Sequence, residues 1–186
     1  IVMKRRDNAP IVKHVFGNMI EKIMSEHSID RAMEWIKTTL LDIRKGNMPM
    51  NEFIITKSLR GYYKNPSQIA HKVLADRIAA RDPGNKPKPS DRIPYVYYKL
   101  PYHQLYDNTN LYKSGKNKGK PKPKSILQGD RIENPQYLVD NGLEIDYDFY
   151  IQKQIKNPVK QVLELQYSED DKENLEKLDM LFENII

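Results

Sequence analysis

Apolar residues recur at three- and four-residue steps through residues 9–26. Ile11, Val12, Val15, Phe16, Met19, Ile20, Ile23 and Met24 line one face of a helix there. Pro10 suits the first turn, where a missing N–H costs nothing. The same spacing predicts a second helix over 29–45, with Ile29, Met33, Ile36, Leu40 and Ile43 inward, Ser28 as its cap and Gly46 as its stop. So short a link predicts an antiparallel pair. Phe53-Ile54-Ile55-Thr56-Lys57 is a β-prone run, and Ile93-Pro94-Tyr95-Val96-Tyr97-Tyr98 is another. Pro94 places the second strand at an edge or near its start. Between them, Asn65-Pro66-Ser67-Gln68 reads as a helix start in which Asn65 caps and Gln68 reaches back. Ile69, Val73, Leu74 and Ile78 carry that helix to Asp82-Pro83-Gly84. Residues 101–128 show no period, and 113–124, with six lysines and no acid, reads as a flexible loop. The helical period returns over 146–165, interrupted or restarted at Pro158. Ser168-Glu169-Asp170-Asp171 then resembles a cap for a last helix striped by Leu175, Leu178, Leu181, Phe182 and Ile185. The pattern predicts an α+β fold, mainly helical, with a small antiparallel sheet.

Composition narrows the chemistry. Of the 186 residues, 39% are hydrophobic and 30% charged, with the apolar ones gathered at helical spacing as in a globular chain. A formal charge of +6 points to an anionic partner, nucleic acid or an acidic membrane surface, unless the protein is merely basic. The charge is uneven: residues 164–186 hold eight acids against two bases, which leaves the preceding body at +12. The absence of cysteine excludes disulfides, thiolate zinc sites and cysteine nucleophiles. His14, His27, His71 and His103 lack paired ligand spacing, so no metal set is expected. No apolar run approaches the length of a membrane span. The opening Ile1-Val2-Met3-Lys4-Arg5-Arg6 reads as the middle of a longer protein.

Four ordered stretches carry a family resemblance. Arg5-Arg6-Asp7-Asn8-Ala9-Pro10-Ile11-Val12 resembles the R-R-D-N-x-P-x-V that opens the thumb of polymerase-delta-like family B DNA polymerases. Ile54-Ile55-Thr56-Lys57-Ser58-Leu59 resembles their I-T-K-x-L strand. Ala70-His71-Lys72-Val73-Leu74-Ala75-Asp76-Arg77, followed by Arg81-Asp82-Pro83-Gly84, resembles A-H-x-x-L-A-x-R…R-D-P-G, and Asp91-Arg92-Ile93-Pro94-Tyr95-Val96 resembles D-R-x-P-Y-V. Residues 146–158 form a weaker fifth match, so the resemblance covers about 1–165. The Asn- and Lys-rich composition and Arg81-Asp82-Pro83-Gly84-Asn85-Lys86-Pro87 look most like polymerases of large DNA viruses.

The resemblance implies a palm–thumb junction over 1–8 and a thumb over 9–165; the residue pattern sets a Lys-rich loop at 101–128 within it and an acidic C-terminal helix over 166–186 after it. It implies template-directed DNA synthesis by a parent nucleotidyltransferase whose palm holds magnesium, while this region catalyses nothing and binds no metal. The partners implied are primer–template DNA, the palm and exonuclease domains of the parent chain, and a processivity factor, with no membrane. The site of action implied is the nucleus or viral factory of an infected cell. A grip on duplex of any sequence contacts phosphates and sugars, which requires cations on rigid elements. Arg5, Arg6, Lys57, His71, Lys72, Arg77, Arg81 and Arg92 are the candidates, with Asp7 orienting the arginines beside it. His71 reads equally as a packed or capping residue. Asp146-Tyr147-Asp148 has the D-x-D form of a two-metal site, but at the start of a helical pattern Asp146 reads as a cap. The tyrosines read as packing rather than base stacking, since a duplex offers no unstacked bases. A stand-alone, sequence-nonspecific nucleic-acid-binding protein is the alternative, and an interaction module recruiting a partner through its acidic tail is a third.

Overall fold

The computed structural model describes residues 2–5, 7–168 and 171–183. Helices α1 (Pro10–Glu26) and α2 (Ile29–Arg44) lead to strand β1 (Ile55–Ser58). Next come α3 (Ala70–Arg81), β2 (Arg92–Tyr97), a single turn α4 (Tyr102–Leu105), β3 (Tyr106–Leu111), β4 (Pro121–Pro123), β5 (Ile132–Glu133) and α5 (Pro135–Asp140). The chain then runs through α6 (Tyr147–Phe149), a π-helical stretch (Tyr150–Ile155), α7 (Lys156–Glu164) and α8 (Lys172–Glu183). Two compact units result: residues 1–56 with 146–186, and residues 57–145 between them.

In the first unit the predicted stripes are the core. Ile11, Val12, Val15 and Met19 of α1 and Ile36, Leu40 and Ile43 of α2 are buried. The turn between the helices works through His27, whose φ of 50 breaks α1, and through Ser28, whose hydroxyl accepts from the Arg31 N–H at 3.3 Å. Tyr150 is fully buried. Its hydroxyl donates to the Phe53 carbonyl at 2.7 Å while its ring meets Phe53 edge to face at 5.1 Å. Pro158 explains the π turn before it. Proline gives no N–H to the preceding turn, and the Lys156 N–H reaches Ile151, one residue further back than in an α-helix. Asp171 caps α8 by accepting from the Asn174 N–H at 3.3 Å. Leu178 and Phe182 are buried, Leu175 and Leu181 half-buried, and Lys160 of α7 pairs with Asp179. The acidic helix therefore lies on its own unit with Phe182 turned inward. Glu169, Asp170 and Ile185, part of the expected cap and stripe, lie outside the described residues.

A three-stranded sheet runs in the order β1-β2-β5, with β2 antiparallel to β5 through Val96↔Glu133 and Tyr97↔Ile132. β2 is thus central rather than an edge. Pro94 is tolerated because β5 pairs only with the residues beyond it. Ile93, Tyr95, Val96 and Ile132 from the sheet and Leu74 from α3 are buried.

Two expectations are corrected here. Asn65 makes no side-chain cap: Pro66–Gln68 is a 3-10 turn, Ile69 is extended (φ −103, ψ 103), and α3 starts only at Ala70. The lysine-rich stretch is a loop only in part: β3 and β4 form an antiparallel hairpin with Tyr106↔Pro123, Asp107↔Lys122 and Leu111↔Pro121, and residues 112–120 join the strands through bends and turns. Nearly every residue of β3 is exposed, so no buried face imposed the alternation by which a strand is read.

Candidate nucleic-acid interface

Three of the nominated residues, Lys57, His71 and Arg92, meet where β1 ends. Lys57 closes the strand's half-buried part, and Ser58 follows it into solvent. Leu59 is tied on both sides to the segment before β2: its N–H donates to the Asp91 carbonyl at 2.8 Å, and the Ser90 N–H donates to its carbonyl at 2.8 Å. This fixes Arg92 beside Ser58, whose hydroxyl accepts from Arg92 Nη1 at 3.1 Å. Arg92 and Arg60 are exposed.

His71, in the first turn of α3, binds this strand exit together. Its Nε2 lies 3.0 Å from the Tyr63 hydroxyl, which accepts from the Arg60 N–H at 2.8 Å. The backbone of Ser58 gives the ring a further hydrogen bond. Burial first, then Lys57, and last Arg60, outweigh that bond and hold the imidazole below its usual 6.5. The ring is therefore neutral at pH 7. A neutral ring that accepts from the tyrosine hydroxyl at Nε2 leaves Nδ1–H to donate to the Ser58 carbonyl. His71 thus orders the cluster rather than adding charge to it. Its effect is to place Lys57, Arg60 and Arg92 around one strand exit.

The other nominated residues are placed differently. Arg77 donates to the carbonyls of Gly129 (2.6 Å) and Ile132 (2.5 Å). Arg81 grips Glu133 through both terminal nitrogens, at 3.0 and 2.6 Å, and lies over the Tyr137 ring at 3.6 Å. The Glu133 side chain is 2% exposed and its bond pushes the Arg81 pKa further up. These two arginines fasten α3 to β5, and Arg81 lies ten residues, roughly 15 Å, along the helix from His71. Lys72 pairs with Asp76 one turn on, at 2.7 Å. Arg5 belongs to the first unit and is held by Asp7 at 3.2 Å, as its neighbourhood implied. Arg6 lies outside the described residues. Sequence reasoning missed Arg60, Tyr63 and Glu133. Only the position of Arg60, directly after the I-T-K-S-L stretch, signalled it.

The D-x-D carboxylates are engaged otherwise. Asp146 accepts from the Phe149 N–H at 3.1 Å as a helix cap, and Asp148 pairs with Arg44 at 2.6 Å. A carboxylate turned to a backbone N–H and another neutralised by arginine do not fit a magnesium pair.

The family model for DNA polymerase family B matches residues 1–166. The chain belongs to DNA polymerase family B. Its relatives include the DNA polymerases of Acanthamoeba polyphaga mimivirus, 50% identical over 92% of this chain, and of Pyramimonas orientalis virus, 43% identical over 89%. The DNA polymerase delta catalytic subunit of Candida albicans is 28% identical over 85%. The chain spans only 9 to 13% of the length of these relatives. The family B DNA polymerase of Pyrobaculum calidifontis shares the fold, with a TM-score of 0.55 over 88% of this chain and 19% of that one, at 19% identity. The family B match ends within two residues of α7, so α8 lies beyond it.

Proposed function

We propose that this family B chain is the thumb region of a DNA-directed DNA polymerase, with residues 9–165 gripping the primer–template duplex during template-directed synthesis. Lys57, Arg60 and Arg92, ordered by His71, contact phosphates across the minor groove. The observation that carries this reading is the convergence of those cations on one exposed strand exit. Such a cluster holds charge where phosphates pass but offers no recognition helix for base edges, which suits an enzyme that must accept every sequence. Arg77 and Arg81 serve the same grip indirectly, by holding the helix that carries His71. Nucleotidyl transfer, and the magnesium ions it uses, belong to a palm elsewhere in the parent chain, which acts in the nucleus or viral factory of an infected cell.

Binding of a labelled duplex to the 186-residue chain, followed by fluorescence anisotropy across a salt series, tests the reading. Affinity should be indifferent to sequence and fall linearly in log–log form as counterions are released. Lys57→Gln and Arg92→Gln should each flatten the slope by up to about 0.9, the value for one neutralised phosphate. A salt-insensitive complex, or a strong preference for one sequence, would contradict the proposal.

A further inference from the structure

The hairpin β3–β4 has no part in the cluster at the end of β1, yet it holds the densest charge in the chain. Six lysines (113, 116, 118, 120, 122 and 124) face a single acid, Asp107, between residues 106 and 124. A solvated loop would leave such charges spread over many conformations. Here Lys122 stands in β4, and Lys113, Lys116, Lys118 and Lys120 stand in the connection between the two strands, which backbone hydrogen bonds hold. The Tyr112 N–H donates to the Lys120 carbonyl at 3.0 Å, the Gly119 N–H to the Tyr112 carbonyl at 2.9 Å, and the Lys124 N–H to the Leu105 carbonyl at 2.8 Å. Gly115 and Gly119 close the tip at φ values of 79 and 82, a region where side chains are strained. Asp107 is occupied at the base, accepting from the hydroxyl and the N–H of Thr109 at 2.6 and 2.9 Å.

The return strand is short. Within β4, Lys122 points to one face and Pro121 and Pro123 to the other. Lys120 and Lys124 flank the strand on either side. The prolines, which lack N–H groups, blunt the ribbon's own edge against pairing with another strand. Lys122 lies over the Tyr112 ring at 5.7 Å, and Lys124 donates to the His103 carbonyl at 2.9 Å. The tip lysines 113, 116, 118 and 120 are exposed.

We infer that this hairpin is a second nucleic-acid contact, a basic finger that binds the phosphodiester backbone of DNA apart from the Lys57–Arg92 cluster. The inference rests on the reading that the chain grips DNA. A cluster of lysines on a hydrogen-bonded hairpin, opposite a polyanion with one charge per ~1.7 Å of duplex axis, releases counterions with little ordering cost of its own. The ligand chemistry is phosphate and sugar, which both the duplex and the displaced single strand present.

The test compares two variants of the 186-residue chain with the parent chain, in salt series against a labelled duplex, its single strand and vesicles rich in anionic lipid. Lys113, Lys116, Lys118 and Lys120 are all changed to Gln in the first variant and all to Arg in the second. The Gln variant should fold as the parent does, because the ribbon's bonds are backbone bonds. It should lower the duplex slope by up to about 3.6, or the single-strand slope by up to about 2.8, according to which form the finger holds. The Arg variant should keep the parent slope. An unchanged slope in the Gln variant on both forms of DNA overturns the inference. So does a loss confined to vesicles, or an equal loss in the Arg variant. If Lys57→Gln and Arg92→Gln still flatten the slope in that case, only the finger falls. If the Gln variant loses slope while those two do not, the finger stands and the strand-exit interface falls.

Discussion

Glu133→Gln should lower the melting temperature of the chain by roughly 6 to 12 °C, which corresponds to about 3 kcal/mol for a protein of this size. Glu133 is almost wholly buried yet charged, and every oxygen it offers is used. Arg81 meets it bidentately, the Asn134 N–H donates to it at 2.8 Å, and Arg77 stands 3.6 Å away. Breaking a buried pair costs about 3–5 kcal/mol because a charge is left without its partner. The lower end applies here, since the arginine side chains keep 29 and 34% of their exposure and can recover water. Glutamine keeps the shape and one acceptor but not the charge. The pair need not add net stability over an apolar replacement of all three residues; the cost lies in breaking it. Calorimetry of the variant decides the matter, and an unchanged melting temperature would show that the clamp does not hold α3.

Gly129→Ala should be comparably damaging. A Cβ at this position would lie 2.6 Å from the Cβ of Val73 and 2.7 Å from its Cγ1, far inside contact distance. Val73 is β-branched and sits on α3, so it cannot rotate away. The helix itself would have to lift from the turn at Gln128–Arg131, stretching the Arg77–Gly129 hydrogen bond. Overpacking of this kind costs about 1–3 kcal/mol, and the upper end is expected against a helix backbone. Val73→Ala should not rescue the variant, because the nearest atom is the Cβ that alanine retains. Val73→Gly should rescue it, less about 1 kcal/mol for a glycine within a helix. Rescue by alanine as complete as by glycine would contradict this account of the contact.

The sequence announced those elements that bury a continuous stripe. Ile11, Val15 and Met19, or Ile36, Leu40 and Ile43, sit at helical steps because one face of each helix meets the core, and the chain records that directly. It does not record which stripes share a core. Nothing in the period of residues 57–145 marks them as a unit set between Thr56 and Asp146. The hairpin escaped notice for a related reason: a ribbon wet on both faces carries no alternation. In the candidate site, Lys57 and Arg92 were visible through motifs that order them along the chain. Arg77 and Arg81 look no different from them in sequence. Their partner Glu133 lies 52 and more residues away, and only the folded chain shows that their charge is turned inward. Tyr63 was read as packing, yet its hydroxyl links the Arg60 backbone to His71.

The central claim is that the strand exit at Lys57, Arg60 and Arg92 faces duplex DNA. Hydrogen–deuterium exchange of the 186-residue chain, alone and saturated with a duplex of arbitrary sequence at low salt, tests it most directly. The predicted footprint is slowed exchange at residues 57–63, 70–72 and 90–92, with α8, whose acids repel phosphates, unaffected. Binding that leaves those three segments unchanged, or that slows exchange in α8 instead, would contradict the account.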